Sequence, residues 1–264
     1  MNDKTPFSLP GLKGQRIVIT AGAGGIGLAT ARLLHSAGAQ VAICDVDADA
    51  LKAAGRALGD CLALQADVSQ SEEVDAFFAA AGARMGGLDA LINNAGIAGP
   101  TGAVEDISEA DWRACIDVCL TGQFLCARRA VPLLKAAGGG SIVCMSSAAG
   151  KHGYSYRTPY SAAKFGVIGL TQSLAKELGP HNIRVNAILP GLVAGPRIDR
   201  VIRDRAEASG VPLEEMTSEY LSKVSLRRMV TSEDVAGTIA FLLSDAGRNL
   251  SGQSLGVDGN VEVL

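Results

Sequence analysis

Tyr160 and Lys164 stand four residues apart in the segment Tyr160-Ser161-Ala162-Ala163-Lys164, a spacing that puts both side chains on one face of a helix. A phenol titrates at about 10 and is a poor base at neutral pH, but a nearby ammonium stabilises the phenolate and lowers that value. Tyr160 is thereby equipped to exchange a proton with a hydroxyl or carbonyl oxygen. Ser147 lies thirteen residues earlier, just beyond the apolar run Ser141–Met145, where its hydroxyl can bond the same oxygen. A Tyr/Lys pair alone is more often a surface contact than a catalytic one. What surrounds it decides.

Upstream, Gly22-Ala23-Gly24-Gly25-Ile26-Gly27 follows the β-branched run Arg16–Thr20 and opens a helical segment. A pyrophosphate needs a tight turn free of Cβ atoms, backbone N–H groups facing it and the positive end of a helix, and glycines at this spacing supply all three. Gly22, Gly24, Gly25, Ile26 and Gly27 are therefore candidate cofactor contacts. Asp45 closes the second strand, eighteen residues beyond Gly27. Its carboxylate can accept from both adenosine ribose hydroxyls and would repel a 2′-phosphate. Neither the glycine loop nor the neighbours of Asp45 offer an Arg or Lys. That combination favours NAD over NADP. With such a cofactor, proton exchange at Tyr160 accompanies hydride movement at the adjacent carbon, and Lys164 is also placed to hold the nicotinamide ribose. Asp67-Val68 is expected at the adenine, and Asn93-Asn94-Ala95-Gly96 beside the cofactor, because ligands of open parallel sheets bind outside the strand C-termini.

The elements that must position these groups alternate. Strands are expected at Arg16–Thr20, Gln40–Cys44, Cys61–Ala66, Leu88–Ile92, Ser141–Met145, Ile183–Leu189 and Ser254–Val257. Helices are expected at 26–37, 51–58, 71–83, 110–136 (with Pro132 forcing a kink or break), 159–178 and 232–243. Strand–helix repetition at this spacing implies an α/β fold: a Rossmann-like, doubly wound parallel sheet with helices on both faces. Residues 1–14 read as a loose tail and 15–264 as one domain. Residues 197–228, dense in charge of both signs, interrupt the rhythm and read as short helices forming a substrate lid over about 196–228.

Composition narrows the class. Hydrophobic residues make up 48% and aromatic ones 4%, enough for a large, mostly aliphatic core. Lys+Arg 24 against Asp+Glu 27 gives a net charge of -3, which recruits neither nucleic acid nor an anionic membrane. No apolar run approaches the about eighteen residues of a membrane span, so a soluble, cytoplasmic protein is expected. The six cysteines form neither a CxxC pair nor a zinc-like cluster with the three histidines, and buried free thiols are the expectation. Cys115, Cys119 and Cys126 recur on nearly one helical face, which suggests packing or a subunit interface. His152 and Tyr154, between Ser147 and Tyr160, are candidates for substrate contact. So is Arg197, whose guanidinium suits a substrate anion; a lid ion pair to Asp199, Asp204 or Glu207 is its other reading.

Taken together, Thr20–Gly27 (TAGAGGIG), Asp67-Val68, Asn93–Gly96 (NNAG), Ser147, Tyr160–Lys164 (YSAAK) and Pro190-Gly191 resemble the short-chain dehydrogenase/reductase family over most of the chain. The resemblance implies seven parallel strands in the order 3-2-1-4-5-6-7 and a homotetramer built on helices 110–136 and 159–178. Three positions depart from the family pattern. Ala21 replaces its usual first glycine. Cys119 (in Cys119-Leu120-Thr121-Gly122) replaces its catalytic asparagine, so that only the backbone carbonyl keeps the role of holding a water to the lysine. Gly195 stands where a threonine often meets the nicotinamide carboxamide, leaving backbone groups of Gly191–Val193 for that contact, with Pro190 a further candidate beside the cofactor.

The leading expectation is an NAD-dependent enzyme interconverting a small-molecule secondary alcohol, anionic if Arg197 binds it, and its ketone. NADPH-dependent reduction of a 3-oxoacyl thioester is the second, and a regulatory or scaffold protein that holds NAD without turnover is the alternative outside enzymes.

Overall fold

The computed structural model describes residues 9–263. Seven strands run β1 Arg16–Thr20, β2 Gln40–Asp45, β3 Leu62–Gln65, β4 Ala90–Asn93, β5 Gly140–Met145, β6 Ile183–Pro190 and β7 Ser254–Val257. All pair in parallel in the order β3-β2-β1-β4-β5-β6-β7. The helices are α1 Gly25–Ser36, α2 Ala48–Leu58, α3 Ser71–Met85, α4 Glu109–Ile116, α5 Gly122–Ala136, α6 Ala149–His152, α7 Thr158–Leu178, α8 Pro196–Ser209, α9 Leu213–Ser222 and α10 Ser232–Leu243. The expected seven-stranded, doubly wound sheet is what forms.

Side-chain alternation explains why both faces are covered. Val18, Ala42, Cys44, Leu91, Ile142 and Cys144 point to one side, where α3, α5 and α7 bring Phe77, Phe78, Ala130, Leu134 and Val167. Ile17, Ile19, Val41, Ile43, Ile92 and Val143 point to the other, against Ala31 and Leu34 of α1, Leu51 of α2 and Ile239 and Leu242 of α10. Strands buried on both faces must be apolar at nearly every position, and these are. Local signals set the helix ends: the Asp47 carboxylate accepts from the N–H groups of Asp49 and Ala50 at the start of α2, and Thr231 with Asp234 forms a reciprocal capping box at the start of α10.

Three differences from the sequence reading have physical causes. The single helix expected over 110–136 is divided, but not at Pro132, which lies within α5. Arg128, one turn earlier, whose carbonyl loses its N–H partner to Pro132, is an exposed position on α5. The division falls instead at Asp117–Thr121, a π-helical turn in which the Gly122 N–H donates to the Asp117 carbonyl. Its Cys119 carbonyl accepts from Gln123 Nε2 at 3.2 Å. Second, α6 follows Ser147 closely, a short helix with no periodic signature. Third, in the segment expected as a tail, residues 1–8 lie outside the described residues, while Leu12 is buried and the Asp245 N–H donates to the Pro10 carbonyl at 3.0 Å.

The segment between β6 and α10 folds as two helices, as expected. Its small core joins Leu192, Ile202, Ala206, Met216, Tyr220 and Val224. The bridge Val193–Val230 joins its two ends to each other, and Val224–Val261 ties it to the chain after β7.

Ala21, at the end of β1, has φ +49, in the left-handed region where a Cβ is penalised. Ala21→Gly is expected to raise the unfolding free energy by up to about 1 kcal/mol, because relief of an αL alanine outweighs the added entropy of the unfolded chain. Urea unfolding midpoints measure this, and a lower midpoint in the variant would contradict it.

Candidate active site

The strand C-termini of β1, β4 and β5 open onto one cleft of about 370 Å³, within the range of roughly 300–1,000 Å³ of small-molecule sites. Ala21, Gly24, Gly25 and Ile26 line one end together with Asp45. A Cβ on Gly24 or Gly25 would meet nothing within 4 Å, so these two face the cleft. Gly22 and Gly27 serve packing instead, since a Cβ would come within 2.6 Å of Ile43 at the first and 2.1 Å of the Ala21 carbonyl oxygen at the second. They let the loop and α1 pack onto β1 and β2. Helix α1 begins at Gly25 with no side-chain cap and no acidic residue in its first turn, leaving its N-terminal N–H groups for an anion.

Asp45 is held by its own neighbours. Its Oδ2 accepts from the Ala23 N–H at 3.1 Å and its Oδ1 from the Asp47 N–H at 3.2 Å. The carboxylate thus ties β2 to the glycine loop while keeping lone pairs for ribose hydroxyls. Asn94 Nδ2 donates to the carbonyls of Thr20 and Ala21, both at 3.0 Å, and the Thr20 hydroxyl accepts from the N–H groups of Asn94 and Ala95 at 3.0 Å. Asn94 and Gly96 line the cleft; Ala95 is buried behind it. Uncapped N–H groups, exposed glycines at 24 and 25 and a carboxylate at the end of β2 are groups that could hold a dinucleotide.

At the other end stand Ser147, Tyr160 and Lys164, all lining the cleft. Helix α7 starts at Thr158 with Pro159 in its first turn, so Tyr160 and Lys164 project from its opening turns. Lys164 is 2% exposed, its Nζ donating to the Met145 carbonyl at 2.7 Å and lying 5.6 Å from the centre of the Tyr160 ring. Its own backbone carbonyl accepts from the Ser146 hydroxyl at 2.8 Å, fastening α7 to the end of β5. The Ser147 hydroxyl accepts from the Ala149 N–H at 3.2 Å, and this first turn of α6 aims it at the cleft.

Burial pushes the Tyr160 phenol up, but the Arg197 guanidinium, the Lys164 ammonium and hydrogen bonding with Ser147 outweigh it, leaving the phenol below its ordinary value; negative charge on Cys119 works against them. Arg197 lines the cleft, its Cζ 5.8 Å from the Tyr160 ring centre and its Nη1 donating to the Gly96 carbonyl at 3.1 Å. Among the described residues it makes no ion pair with Asp199, Asp204 or Glu207.

Cys119 is fully buried, close to Lys164 across Gly96: a Cβ on Gly96 would lie 3.3 Å from Lys164 Nζ and 3.6 Å from Cys119 Sγ. A hydrogen bond from Cys115 draws the Cys119 thiol below its usual range against the burial that raises it, with Lys164 assisting, and Cys115 is pushed up in turn. The Cys119 carbonyl, the group expected to face Lys164 through a water, is engaged by Gln123. The same Gln123 amide donates to the Met145 carbonyl at 3.0 Å, so one side chain joins the π turn to the acceptor of Lys164. Cys126 packs separately, on the α3 side.

The other expected residues divide between the cleft and its surroundings. Asp67 Oδ1 accepts from Ser69 N and Oγ, closing a turn, and Val68 is buried against Gly122. His152 is exposed at the end of α6 and does not line the cleft. Tyr154 does line it, but its hydroxyl is bonded to that of Tyr220 on α9. Pro190, Gly191 and Val193 form the floor beneath α8. Gly195 sits at φ +140, a conformation closed to threonine, which explains the departure there. Arg157 is a cleft residue that sequence reasoning missed, and its only signal is a position three residues before Tyr160.

The comparisons with known proteins agree with this geometry. The sequence model of the family described as Enoyl-(Acyl carrier protein) reductase matches residues 21–261. The chain is 39% identical over 246 residues to the Cis-4-hydroxycyclohexanecarboxylate dehydrogenase of Sinomonas cyclohexanicum, covering 92% of this chain and 94% of that protein. It is 38% identical over 256 residues to the Trans-4-hydroxycyclohexanecarboxylate dehydrogenase of the same organism, covering 92% and 90%. Among solved structures, levodione reductase superposes with a TM-score of 0.88 at 30% identity, covering 94% of this chain and 97% of that one. NAD+-bound xylitol dehydrogenase gives 0.92 at 28%, covering 95% and 100%. The chain belongs to the short-chain dehydrogenase/reductase family. It is an oxidoreductase of CH–OH groups that binds a dinucleotide, and no helix among its described residues is long and apolar enough to cross a membrane.

The charge balance at Tyr160 sets a pH signature. In the direction of alcohol oxidation, kcat/KM should rise with pH through an apparent pKa below that of a free phenol. Arg197→Met should move that limb to higher pH, because the guanidinium's stabilisation of the phenolate is lost while Lys164 and Ser147 remain. An unmoved limb would show that Arg197 does not act on the phenol.

Proposed function

We propose that this protein catalyses NAD-dependent, reversible oxidation of a small secondary alcohol to a ketone. One observation carries the reading: a tyrosine whose phenol is lowered by neighbouring cations shares a cleft with a dinucleotide loop and Asp45. When bound, the nicotinamide supplies the hydride acceptor. The chain's own groups do the rest. Ser147 holds the substrate hydroxyl at Tyr160, whose Oη removes its proton as the carbonyl forms. Lys164 keeps the phenolate charged and is positioned for the nicotinamide ribose. In reduction the same phenol returns the proton to the nascent alkoxide. Helices α8 and α9 act as the lid, with Leu192, Ile198 and Val201 giving the substrate end an apolar wall.

Support for NAD is electrostatic. Asp45 is the cleft's one carboxylate among the described residues, and neither the glycine loop nor its neighbours bring a cation to receive a 2′-phosphate. The same feature weighs against NADPH-dependent reduction of a 3-oxoacyl thioester. The relatives' names favour a compact ring alcohol: two are 4-hydroxycyclohexanecarboxylate dehydrogenases and another is a cyclohexadiene-diol dehydrogenase.

The test is absorbance of the reduced nicotinamide with a panel of cyclic and open-chain alcohols. Turnover with NAD is expected to exceed that with NADP, Asp45→Ser is expected to narrow the gap, and Tyr160→Phe is expected to lose roughly 10²–10⁴-fold. Undiminished turnover in Tyr160→Phe would sink the assignment, and a preference for NADP would reverse the cofactor.

Assembly follows the same reading. Trp112 on α4, Phe124 on α5 and Phe165 on α7 are 40%, 49% and 48% exposed, an apolar face matching the expected subunit contact of a homotetramer. Light scattering should give four chains per particle, and Phe124→Glu with Phe165→Glu should yield a smaller species. A wild-type monomer would refute it.

A further inference from the structure

The catalytic end of the cleft carries more positive charge than the reaction uses. Arg157 is 4% exposed, yet no ion pair compensates it among the described residues. Its Cζ lies 4.7 Å from the centre of the Tyr160 ring and 5.2 Å from that of Tyr154, so the guanidinium is held between two aromatic faces. Its Nη2 donates to the Ala98 carbonyl, and its Nε is buried without any hydrogen-bond partner. Arg197 approaches Tyr160 from α8 and donates to the Gly96 carbonyl, two residues away on the same loop after β4. Both guanidiniums line the cleft beside Lys164, whereas Asp45 is at the opposite, cofactor end.

An unneutralised, desolvated guanidinium with an unsatisfied donor is costly unless something pairs with it. Lys164 has its answer in the Met145 carbonyl and in Tyr160. Among the described residues buried Arg157 has only the Ala98 carbonyl, and Arg197, exposed at the cleft, only the Gly96 carbonyl, so each has donors left for another acceptor. We propose that the substrate carries a carboxylate and that Arg157, together with Arg197, binds it while the substrate's hydroxyl sits at Tyr160 and Ser147. A planar anion suits the fork of donors that a guanidinium presents when its face is stacked on an aromatic ring. Arg157 is then a specificity-determining residue, selecting hydroxy acids over neutral alcohols of the same shape. The inference rests on the reading of this cleft as the site of alcohol oxidation, and adds to it the charge of what is oxidised.

Two measurements test it separately from the reaction. Calorimetric titration of the wild-type protein with NAD present compares cyclohexanecarboxylate with cyclohexanecarboxamide, a neutral molecule of nearly the same shape; neither carries a hydroxyl to be oxidised. Binding of the carboxylate about tenfold tighter or more is expected for a charge-assisted contact. Equal binding would overturn the proposal and leave Arg157 as an aromatic staple between Tyr154 and Tyr160. In turnover, the ratio of kcat/KM for 4-hydroxycyclohexanecarboxylate to that for cyclohexanol should fall by about tenfold in Arg157→Gln, with the loss mainly in KM, and Arg157→Lys should recover part of it. A ratio unchanged by Arg157→Gln would likewise overturn it. Absence of turnover on every alcohol, charged or neutral, would instead refute the oxidation itself, and the calorimetric comparison would still decide the anion site.

Discussion

Lys164 holds a positive charge in a position almost sealed from water, and the architecture around it answers that cost. A buried ammonium must be hydrogen-bonded and must face something it stabilises. The end of β5 supplies the first through the Met145 carbonyl, and Tyr160 supplies the second by keeping its phenol in the same field. Everything that fixes those two distances is therefore part of the site. Gly96 is bare because a methyl group there would crowd the ammonium; Ser146 ties α7 to β5 at the lysine's own backbone; Gln123 links the Met145 carbonyl to the π turn.

The sheet makes such an arrangement possible. Parallel strands covered on both faces end together at one edge, so groups from β1, β2, β4 and β5 converge although they are far apart in sequence. The two ends of the resulting cleft differ in sign. Asp45 lends the glycine loop a negative corner suited to hydroxyls, while Arg157, Lys164 and Arg197 make the far end cationic. That division keeps the cations at Tyr160 and the fixed carboxylate of Asp45 at the other end of the cleft.

Much of this was legible in the residues. The strands are continuous β-branched and aliphatic runs, several ending in glycine, Asp or Asn, and the Tyr160–Lys164 spacing specifies a shared helix face whatever lies elsewhere. What escaped notice carries no periodic mark. The π turn at Asp117–Thr121 has the composition of ordinary helix, and the Gln123 amide that bonds its Cys119 carbonyl is a long-reach partner with no mark in the local pattern. Pro132 drew attention as a breaker, yet it lies within α5 and the division falls earlier, at Asp117–Thr121. Asp67 does not line the cleft, and its carboxylate is engaged by Ser69, a competition that local sequence leaves unresolved. Arg157 precedes the helix by one residue and has no partner along the chain, so its importance emerges only when Tyr154, Tyr160 and the loop after β4 meet in space.

The helical pair α8–α9 has a small core of its own, closed by the Val193–Val230 bridge between its ends and tied to the rest of the chain by the Val224–Val261 bridge and the Tyr154–Tyr220 contact. This cluster is separate from the two that cover the sheet, so replacing residues in it should perturb the cleft wall of Leu192, Ile198 and Val201 more than the seven strands below. Such a partition lets selection rewrite what is recognised while the hydride-transfer floor is inherited unchanged. One scaffold can thereby radiate across many alcohols without rebuilding its chemistry each time.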